Sequence, residues 1–449
     1  MSKLSRKPAD LLITGGMILP LPKNSALLDP GALAISANRI AAIGDPQKIA
    51  AEYEASRTLD ASGCLVMPGL ANAHTHAAMT CYRGMADDLP LMEWLNKFVF
   101  PAEAKSDGDQ VYWSTLLACA EMIRSGTTTF CDMYLFEDRV AEASKDAGIR
   151  AVVGEVLYDF PSPHYGPIEK GLEFTEALIK RWQKDPLVTI AIEPHALYTC
   201  SPDLLKKCRN LADRYDVPLI THLSENRTEI EEVMKKYGRR PVNHLENLGL
   251  LSSPLIACHC VWLTEEEMDL FARRKVRVVH NPESNMKLAS GVAPVPDLLA
   301  RGVTVGLGTD GCASNNNLDL FQEMDTAAKL HKVHRLDPTV MPAPTVLEMA
   351  TLGGARVLGM EKEIGSLEEG KKADVIILDL NKPHLQPVYN IISHLVYSAT
   401  GADVRDVIID GKVIMENRKL LTLDEEEILR KAKEWGQKIS TKFQTPNPK

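Results

Sequence analysis

The sequence predicts an α/β protein, in which a (β/α)8 barrel of the TIM type is joined to a small β-sandwich domain formed from both chain ends. Short apolar runs alternate with helical patterns through the middle of the chain, which favours a parallel sheet, and eight such units over roughly 300 residues fit a barrel. Strand-like segments at both ends indicate the second domain. We expect domain boundaries at residues 1–67, 68–365 and 366–449, the last with a C-terminal helix. An open, doubly wound sheet is the alternative for the middle region.

The expected barrel strands are short apolar runs separated by helical patterns such as Asp203–Tyr215 and Glu225–Tyr237. They are Leu65–Pro68, Thr127–Asp132, Ala151–Glu155, Val188–Glu193, Pro218–His222, Leu255–His259, Val276–His280 and Val303–Gly308. No glycine-rich loop of the GxGxxG or GxxxxGK[ST] type occurs in the sequence, so no motif favours a nucleotide-phosphate site.

The two chain ends contain turn signals between strand-like runs. Gly15-Gly16 in ADLLITGGMILP predicts a hairpin, and Ala37-Asn38 predicts the turn within ALAISANRIAAIGD. Asp410-Gly411 predicts another turn near the C-terminal end. The final segment, DEEEILRKAKEWGQKISTKF, has acidic residues first and lysines late, which is the charge order that a helix prefers.

Composition limits the functional classes. The chain of 449 residues has a formal net charge of −9 and a hydrophobic fraction of 45%. This composition is typical of a globular protein and argues against nucleic acid as the main partner, because phosphate binding needs a basic surface. No uncharged apolar run reaches the roughly 18 residues of a membrane span, and the N-terminal apolar stretch is too short for a signal peptide. Nine scattered cysteines predict reduced thiols and a cytoplasmic location.

Polar residues follow the expected strands at their carboxyl ends, where barrels carry their chemistry. These residues are His74, His76, His195, His222, Glu225, His259, His280 and Asp310. His74-x-His76 in an extended segment directs two imidazoles to one side. With His222 and Asp310, they predict a metal site of three imidazoles and one carboxylate, with room for a water that the metal can acidify.

Glu225 lies three residues after His222, where a carboxylate beside a metal can move a proton from water to a leaving group. His195 and His259 are expected to contact substrate or water, and His280 has no clear assignment. The other histidines are interpreted as structural: His164, His244, His331, His334, His384 and His394. A thiolate zinc site at Cys258-His259-Cys260 is rejected, since alternating residues on a strand direct both sulfurs away from His259.

Seven runs together resemble the amidohydrolase superfamily, and within it the 5-methylthioadenosine/S-adenosylhomocysteine deaminase family. These runs are PGLANAHTH, SGTTTF, THLSEN, CHCVWL, VVHNPESNMKLASG, GLGTDGCASNNNLDLF and GSLEEGKKADVIILD. The resemblance covers nearly the whole chain. It implies one divalent metal per subunit, Zn²⁺ with Fe²⁺ as the alternative, held by the predicted ligands His74, His76, His222 and Asp310.

The resemblance also implies roles around the metal. Asp310 would take the proton from the water, and His259 would orient the attacking hydroxide. Glu225 would contact the purine N1 and carry that proton to the ring and the departing amine. His195 would bind the purine N3. Glu103, in FVFPAEAK, matches the glutamate that binds the ribose 2′ and 3′ hydroxyls.

Two further positions concern the substrate pocket. Trp94 matches a residue that lines the nucleoside pocket, although from the sequence alone a core position is equally consistent. The family carries an Arg near the substrate where spacing from Glu103 gives Glu155 here. An acid cannot pair with the carboxylate of S-adenosylhomocysteine, so this departure favours neutral 5′ groups.

The implied activity is hydrolytic deamination at C6 of an adenine nucleoside: 5′-methylthioadenosine, S-adenosylhomocysteine, 5′-deoxyadenosine or adenosine. The alternative is a hydrolase of s-triazines or other N-heterocycles within the same superfamily; guanine or cytosine deamination and a non-catalytic binding barrel are more distant alternatives. The expected partner is a small-molecule nucleoside, not nucleic acid or membrane. The family resemblance also implies a homo-oligomer, either a dimer or a tetramer.

Overall fold

The computed structural model describes residues 6–21, 26–251 and 255–442. Its strands are β1 (Lys7–Thr14), β2 (Met17–Ile18), β3 (Ala32–Ser36), β4 (Arg39–Gly44), β5 (Tyr53–Asp60), β6 (Cys64–Pro68), β7 (Leu70–Thr75), β8 (Thr127–Tyr134), β9 (Arg150–Leu157), β10 (Val188–Ile190), β11 (Glu193–Pro194), β12 (Leu219–Leu223), β13 (Leu255–His259), β14 (Arg277–His280), β15 (Thr304–Leu307), β16 (Val375–Asp379), β17 (Val404–Ile409), β18 (Lys412–Glu416) and β19 (Lys419–Leu420).

The α-helices are α1 (Pro46–Glu52), α2 (Leu91–Trp94), α3 (Phe100–Glu103), α4 (Gly108–Arg124), α5 (Glu137–Ala147), α6 (Ile168–Trp182), α7 (Pro202–Tyr215), α8 (Arg227–Tyr237), α9 (Pro241–Asn247), α10 (Glu265–Arg274), α11 (Pro282–Lys287), α12 (Val295–Ala300), α13 (Leu320–Arg335), α14 (Ala343–Glu348), α15 (Gly354–Leu358), α16 (Ile391–Tyr397) and α17 (Glu425–Lys442). Two π-helical segments, Leu95–Val99 and Met349–Gly353, continue α2 and α14. Within the described part of the chain, no helix is long and apolar enough to cross a membrane.

Two parallel sheets occupy the middle of the chain. One has the order β10-β9-β8-β7, with β11 also paired to β9, and the other has the order β12-β13-β14-β15. A parallel bridge between Ile192 and Leu219 links the first sheet to the second. At the other end, the backbone N–H of Asp310, just after β15, donates to the carbonyl of His74 on β7 (3.0 Å). The predicted alternation of strands and helices is therefore confirmed.

One expected barrel strand is wrong. Leu65–Pro68 falls in β6, which pairs antiparallel with β16 in a different sheet, and the parallel set begins with β7. The chain changes sheets at Gly69, whose N–H donates to Asp374 O, while the N–H of Leu70 donates to Gly126 O (both 3.0 Å). Both runs are short, apolar and buried, so local periodicity does not distinguish their partners.

The expected hairpin at Gly15-Gly16 is also wrong. β1 pairs with β3 and β5, whereas β2 pairs with β6 in another sheet. A Cβ added at Gly16 would lie 2.5 Å from the carbonyl oxygen of Ala61. The second glycine therefore permits a close approach between backbones and does not form a two-stranded turn.

Two sheets of mainly antiparallel strands contain both ends of the chain. Their orders are β4-β3-β1-β5 and β19-β18-β17-β16-β6-β2, and the second sheet combines strands from both ends. Ala37-Asn38 connects β3 to β4 and Asp410-Gly411 connects β17 to β18, as predicted. Side chains of both sheets, among them Leu33 and Ile377, share one apolar cluster. The predicted C-terminal helix is present as α17.

A buried ion pair connects the parallel strands to the terminal sheets. The Arg150 guanidinium, at the start of β9, binds both carboxylate oxygens of Asp374 at 2.8 and 3.0 Å and one of Asp410 at 3.3 Å. The side chains of Arg150 and Asp374 are only 7% and 2% exposed. Asp374 directly precedes β16, so this pair fixes the position of that sheet against the parallel strands.

Helices begin directly after the parallel strands at side-chain caps. Ser201, Asn226 and Thr264 each accept a hydrogen bond from the backbone N–H three residues later, at the starts of α7, α8 and α10. The predicted helix over Asp203–Tyr215 is thereby confirmed. Glu225 precedes α8 and is not part of its first turn. All nine cysteines are free thiols, and eight of them are buried.

Candidate metal centre and active site

Four polar side chains from separate strand ends converge within the parallel region. His74 lies on β7, His222 on β12 and His259 on β13, and Asp310 follows β15. One ligand atom of each lies within 4.8 Å of those of the other three, and all four residues are buried. The predicted ligands His74, His222 and Asp310 therefore meet in one place, and the structure adds His259 to them.

His76, the remaining predicted ligand, borders this cluster. Its Nε2 lies 3.0 Å from Oδ1 of Asp310, and its ring centre lies 4.8 Å from that of His74. Its Nδ1 donates to the carbonyl of Met133 on β8. The HxH motif thus brings both rings to the same carboxylate, as the period of an extended chain predicts.

Hydrogen bonds at Nδ1 orient the imidazoles. His222 donates from Nδ1 to the carbonyl of His195, and His259 donates from Nδ1 to Oδ1 of Asn285, both at 2.9 Å. With Nδ1 of His76 bonded to Met133, Nδ1 of all three rings is bonded to an oxygen acceptor. Nε2 of His76 faces Asp310, and Nε2 of His259 lies 3.4 Å from the side-chain amide nitrogen of Asn281. An acceptor behind a metal-binding imidazole is the usual arrangement, because it fixes the tautomer and the ring orientation.

The two carboxylate oxygens of Asp310 differ, because one is hydrogen-bonded to side chains and the other is not. Its Oδ2 accepts hydrogen bonds from Ser284 Oγ (2.6 Å) and Ser314 Oγ (2.8 Å). Its Oδ1 is buried without a hydrogen-bond partner among the described residues, and it faces Nε2 of His74 at 3.5 Å. Gly311 makes room for this approach, since a Cβ there would lie 2.8 Å from Met79 Sδ.

Burial and the carboxylate of Asp310 set the charge states of the cluster. Burial, the largest cause, lowers the pKa of His74 to about 4 and holds the pKa of His222 well below its ordinary value. Burial would also lower the pKa of His76, but the carboxylate of Asp310 outweighs it and raises that pKa to about 9. Burial would raise the pKa of Asp310, but His74 and His76 hold it well below its ordinary value.

The donor set fits a divalent metal ion. Neutral imidazole nitrogens and a carboxylate oxygen are the ligands that zinc takes in catalytic sites. Both ring nitrogens of His74 and Oδ1 of Asp310 are buried without hydrogen-bond partners in the described part of the chain. Buried polar atoms are rarely left in this state unless another group binds them. These donor atoms therefore identify the class of ion that fits the site, a divalent metal.

A cleft of about 610 Å³, a volume that includes space open to solvent, lies beside the cluster. It is lined by eight of the nine predicted site residues: His76, Trp94, Glu103, His195, His222, Glu225, His259 and Asp310. The ninth, His74, is fully buried. Apolar and aromatic side chains, including Phe100, Tyr158 and Leu288, form much of the remaining wall.

Two carboxylates in this cleft are shifted toward their neutral forms. Burial raises the pKa of Glu225, while the nearby His259 opposes that shift. Burial raises the pKa of Glu103 to about 7, although Tyr134 and His76 favour the ionised form. Glu103 ends α3, and Trp94 ends α2, so the segment from residue 91 to residue 103 covers one side of the cleft.

His195 contributes a polar edge to the same cleft. Its Nδ1 lies 2.9 Å from the hydroxyl of Thr199. Burial lowers its pKa to about 3, and the neighbouring His76 adds to the effect, so the ring is neutral. A neutral imidazole in this position can hydrogen-bond a ring nitrogen of a ligand.

The chain is similar to known proteins over nearly its whole length. The model of the Amidohydrolase family matches residues 65–414. The 5-methylthioadenosine/S-adenosylhomocysteine deaminase of Syntrophobacter fumaroxidans is 65% identical over 425 residues, which cover 95% of this chain and 97% of that protein.

The chain belongs to the amidohydrolase family.

Solved structures extend the likeness to the fold. An adenosine deaminase from Xanthomonas campestris with bound zinc superposes with a TM-score of 0.95 and 41% identity, over 97% of this chain and 100% of that one. An atrazine chlorohydrolase from Arthrobacter aurescens, also complexed with zinc, gives a TM-score of 0.88 and 25% identity over 95% and 100% of the chains. This amidohydrolase therefore has a TIM-barrel-type fold and belongs to the hydrolase class, as predicted.

The interpretation of Glu155 is wrong. Its side chain does not line the cleft of this amidohydrolase: it accepts a hydrogen bond from the backbone N–H of Glu137 (2.9 Å) and lies 2.9 Å from His164 Nδ1. The side chain of a strand residue can point to either face of its sheet, and the spacing of Glu155 from Glu103 does not determine the face. The residue therefore carries no information about the 5′ group.

Three residues that support Asp310 and His259 were not predicted from the sequence. Ser284, Asn285 and Ser314 stand in the quoted runs HNPESN and TDGCASN, yet only the tertiary structure directs them to the site. The sequence feature that could have indicated them is a cluster of small polar residues just after the candidate site residues His280 and Asp310. His280, which had no clear assignment, lies 3.1 Å from His331 (Nε2 to Nε2) in the core and does not line the cleft.

Proposed function

We propose that this protein catalyses the hydrolytic deamination of an adenine nucleoside at C6, so that water replaces the amino group and ammonia leaves. One observation carries the proposal: the carboxylate of Glu225 and the imidazole of His259 share one cleft with Glu103 and with three of the predicted ligands, His76, His222 and Asp310. The names of the deaminase relatives and of the neighbouring adenosine deaminase structure support the same reaction.

We propose that the two parallel sheets form one closed (β/α)8 barrel and that the terminal sheets form a β-sandwich. The hydrogen bond from Asp310 N to His74 O supports closure, because it joins the end of β15 to β7. The apolar cluster shared by the two terminal sheets supports the sandwich. The boundaries at 1–67, 68–365 and 366–449 stay a prediction, and the change of sheet at Gly69 supports the first of them.

His74, His76, His222 and Asp310 would hold one divalent metal, with Zn²⁺ favoured over Fe²⁺ because the zinc-bound neighbours are similar over nearly their whole length. His259 is an alternative metal ligand, because its imidazole lies within the buried cluster. When bound, such a metal lowers the pKa of a coordinated water toward neutrality.

The protein side chains move protons around C6. Asp310 accepts the proton of the attacking water, and His259 hydrogen-bonds that water and directs it at C6. Glu225, whose pKa burial raises, gives its proton to the purine N1 and then passes the proton of the C6 hydroxyl group to the departing amine, which leaves as ammonia. The proton that Asp310 took from the water returns to Glu225, so one water is consumed, one ammonia is released and both carboxyl groups regain their starting states.

Other cleft residues recognise the nucleoside. Glu103 would accept hydrogen bonds from the ribose 2′ and 3′ hydroxyls, and His195 would bind the purine N3. Trp94, buried at the cleft wall, offers an apolar face to the ligand. The s-triazine alternative keeps the metal and Glu225 but gives Glu103 no ribose to bind.

The test is an ultraviolet assay of the metal-loaded protein, with metal content measured in parallel. Substrates are 5′-methylthioadenosine, S-adenosylhomocysteine, 5′-deoxyadenosine, adenosine, adenine and atrazine. We expect ammonia and an inosine analogue from the nucleosides only. Turnover of the triazine alone would replace the proposal with the alternative, and a protein that purifies without metal and turns over nothing would refute both. Light scattering would test the predicted homo-oligomer.

A further inference from the structure

A buried glutamate lies behind the residue that is proposed to transfer protons. Glu229 is the third residue of α8, and it is only 1% exposed. Its Oε1 accepts a hydrogen bond from the backbone N–H of Ser224 (2.9 Å), and its Oε2 accepts one from the backbone N–H of Glu225 (2.8 Å). Both carboxylate oxygens are therefore bonded to the segment that carries Glu225.

The helix after the next strand shows the ordinary arrangement. Glu267 is the third residue of α10, is equally buried, and accepts a hydrogen bond from the backbone N–H of the capping residue Thr264 (2.9 Å). This is a capping box, in which the third residue reaches back to the cap. Glu267 also pairs with Arg240 (2.9 Å). In α8 the cap is Asn226, and Glu229 reaches past it to the two residues before it, so capping of the helix does not account for these contacts.

The backbone that Glu229 holds is strained. Ser224 has a φ of +53°, in the left-handed region that residues other than glycine rarely adopt. Such a conformation persists only where the surrounding contacts impose it. The N–H of Ser224 is bonded to Glu229, and its carbonyl accepts a hydrogen bond from the backbone N–H of Trp262 (2.9 Å). Hydrogen bonds on both sides of Ser224 therefore hold the turn between β12 and α8.

This turn determines where the carboxylate of Glu225 lies. His222, on β12, belongs to the histidine cluster, and Glu225 lines the cleft beside that cluster three residues later. Within the described part of the chain, no side chain hydrogen-bonds the carboxylate of Glu225, so its position follows from its backbone and from packing. The backbone N–H of Glu225 is bonded to Glu229, which makes that acid the contact through which the position of Glu225 can be set.

We propose that Glu229 is a positioning residue for proton transfer, an inference that rests on the proposed deamination. It holds the strained turn through the amides of Ser224 and Glu225 and so keeps the carboxylate of Glu225 within reach of the purine N1 and the departing amine. Glu229 does not line the cleft, so it acts through Glu225 and not on the substrate. Its replacement should slow the chemical step and leave binding of the nucleoside nearly intact.

The test is a double-mutant cycle at Glu225 and Glu229, with kcat and KM measured by ammonia release from 5′-methylthioadenosine. In Glu229→Gln an amide nitrogen replaces one of the two acceptor oxygens, and we expect kcat to fall about tenfold or more while KM changes less than about threefold. In the Glu225→Gln background the same substitution should lower kcat by less than about twofold, because no proton transfer by residue 225 is left to disturb. Effects that multiply in the double variant would overturn the proposal, since Glu229 would then act independently of Glu225.

Glu267→Gln is the matched control, because it changes an equally buried third residue of a helix and should leave kcat unchanged. Glu229→Asp, which withdraws both oxygens by one methylene group, takes the place of Glu229→Gln in the cycle if the amide variant does not fold.

A second measurement does not depend on activity. Hydrogen exchange of peptides that span Ser224 and Glu225 should be faster in Glu229→Gln than in the unmodified protein and unchanged in Glu267→Gln. Unchanged exchange in Glu229→Gln would also overturn the proposal. If the unmodified protein deaminates no nucleoside, the proposed function is wrong, and the exchange rates alone then decide whether Glu229 holds the turn.

Discussion

Ser284 Oγ donates a 2.6 Å hydrogen bond to Oδ2 of Asp310. Ser314 donates a second hydrogen bond to the same oxygen, so the other carboxylate oxygen, Oδ1, is left facing the histidines. Both serines are almost fully buried. They act as positioning residues, because they hold the carboxylate in the orientation that the proposed reaction requires without contacting substrate.

Removing either serine hydroxyl should lower kcat. A hydrogen bond to a charged group contributes about 1.5–3 kcal/mol, so Ser284→Ala and Ser314→Ala should each reduce kcat roughly tenfold or more, with KM little changed. Steady-state kinetics with metal content checks this split. Ser144→Ala is the control, since that buried hydroxyl donates to the backbone carbonyl of Val140 inside α5. Wild-type kcat in both site variants would contradict the positioning role.

Glu225→Gln should retain the fold and metal and lose most turnover. The amide cannot exchange a proton with N1, and positioned acid–base groups typically contribute about 10²–10⁴-fold. We expect kcat to fall by about 100-fold or more, measured by ammonia release. Glu232→Gln, an exposed position on α8, is the control. Unchanged kcat in Glu225→Gln would remove the proton-transfer role.

Riboside binding should strengthen as the pH rises through neutrality. Burial raises the pKa of Glu103 from an ordinary value of 4.5 to about 7, and only the ionised carboxylate accepts two ribose hydroxyls. KM for adenosine should therefore fall between pH 6 and pH 8, whereas the Kd of adenine, which lacks the ribose, should not follow it. In Glu103→Gln the pH dependence of KM should disappear. A pH-dependent KM in that variant would assign the titration to another group.

The raised pKa of Glu103 also makes the free energy of unfolding depend on pH in a defined direction. Between about pH 4.5 and pH 7 the folded protein retains the proton of Glu103 and the unfolded chain has lost it. The contribution of this group to the free energy of unfolding therefore decreases as pH rises through that window. Urea unfolding of the wild type and Glu103→Gln at pH 5 and pH 7 measures the difference, which should be smaller in the variant.

Breaking the pair between Arg150 and Asp374 should destabilise the protein. Arg150→Met leaves a carboxylate that is 2% exposed without its cation, which typically costs about 3–5 kcal/mol. The urea midpoint should fall accordingly. Lys7→Met is the control, because its pair with Glu52 is 63% and 50% exposed and solvent screens it, so the urea midpoint should change little. Equal midpoints for both variants would show that the junction depends on other contacts.

The sequence by itself determined that candidate metal ligands lie together at the strand ends and that strands alternate with helices. His74, His222 and Asp310 could be assigned together because parallel strands end at one edge, so residues far apart in the chain share a position in the repeating unit. The HxH spacing likewise follows from the two-residue period of an extended chain. These are properties that local pattern and chain order express directly.

The tertiary structure decided which partner each segment meets. Leu65–Pro68 and Leu70–Thr75 are both short buried strands, and only their hydrogen bonds assign them to different sheets. Glu155 turns to His164, while Ser284 turns to Asp310, because a side chain's direction depends on the packing of neighbouring elements. The cleft beside the histidine cluster exists only where separate segments of the chain meet, and no local periodicity encodes a contact between distant parts of the chain.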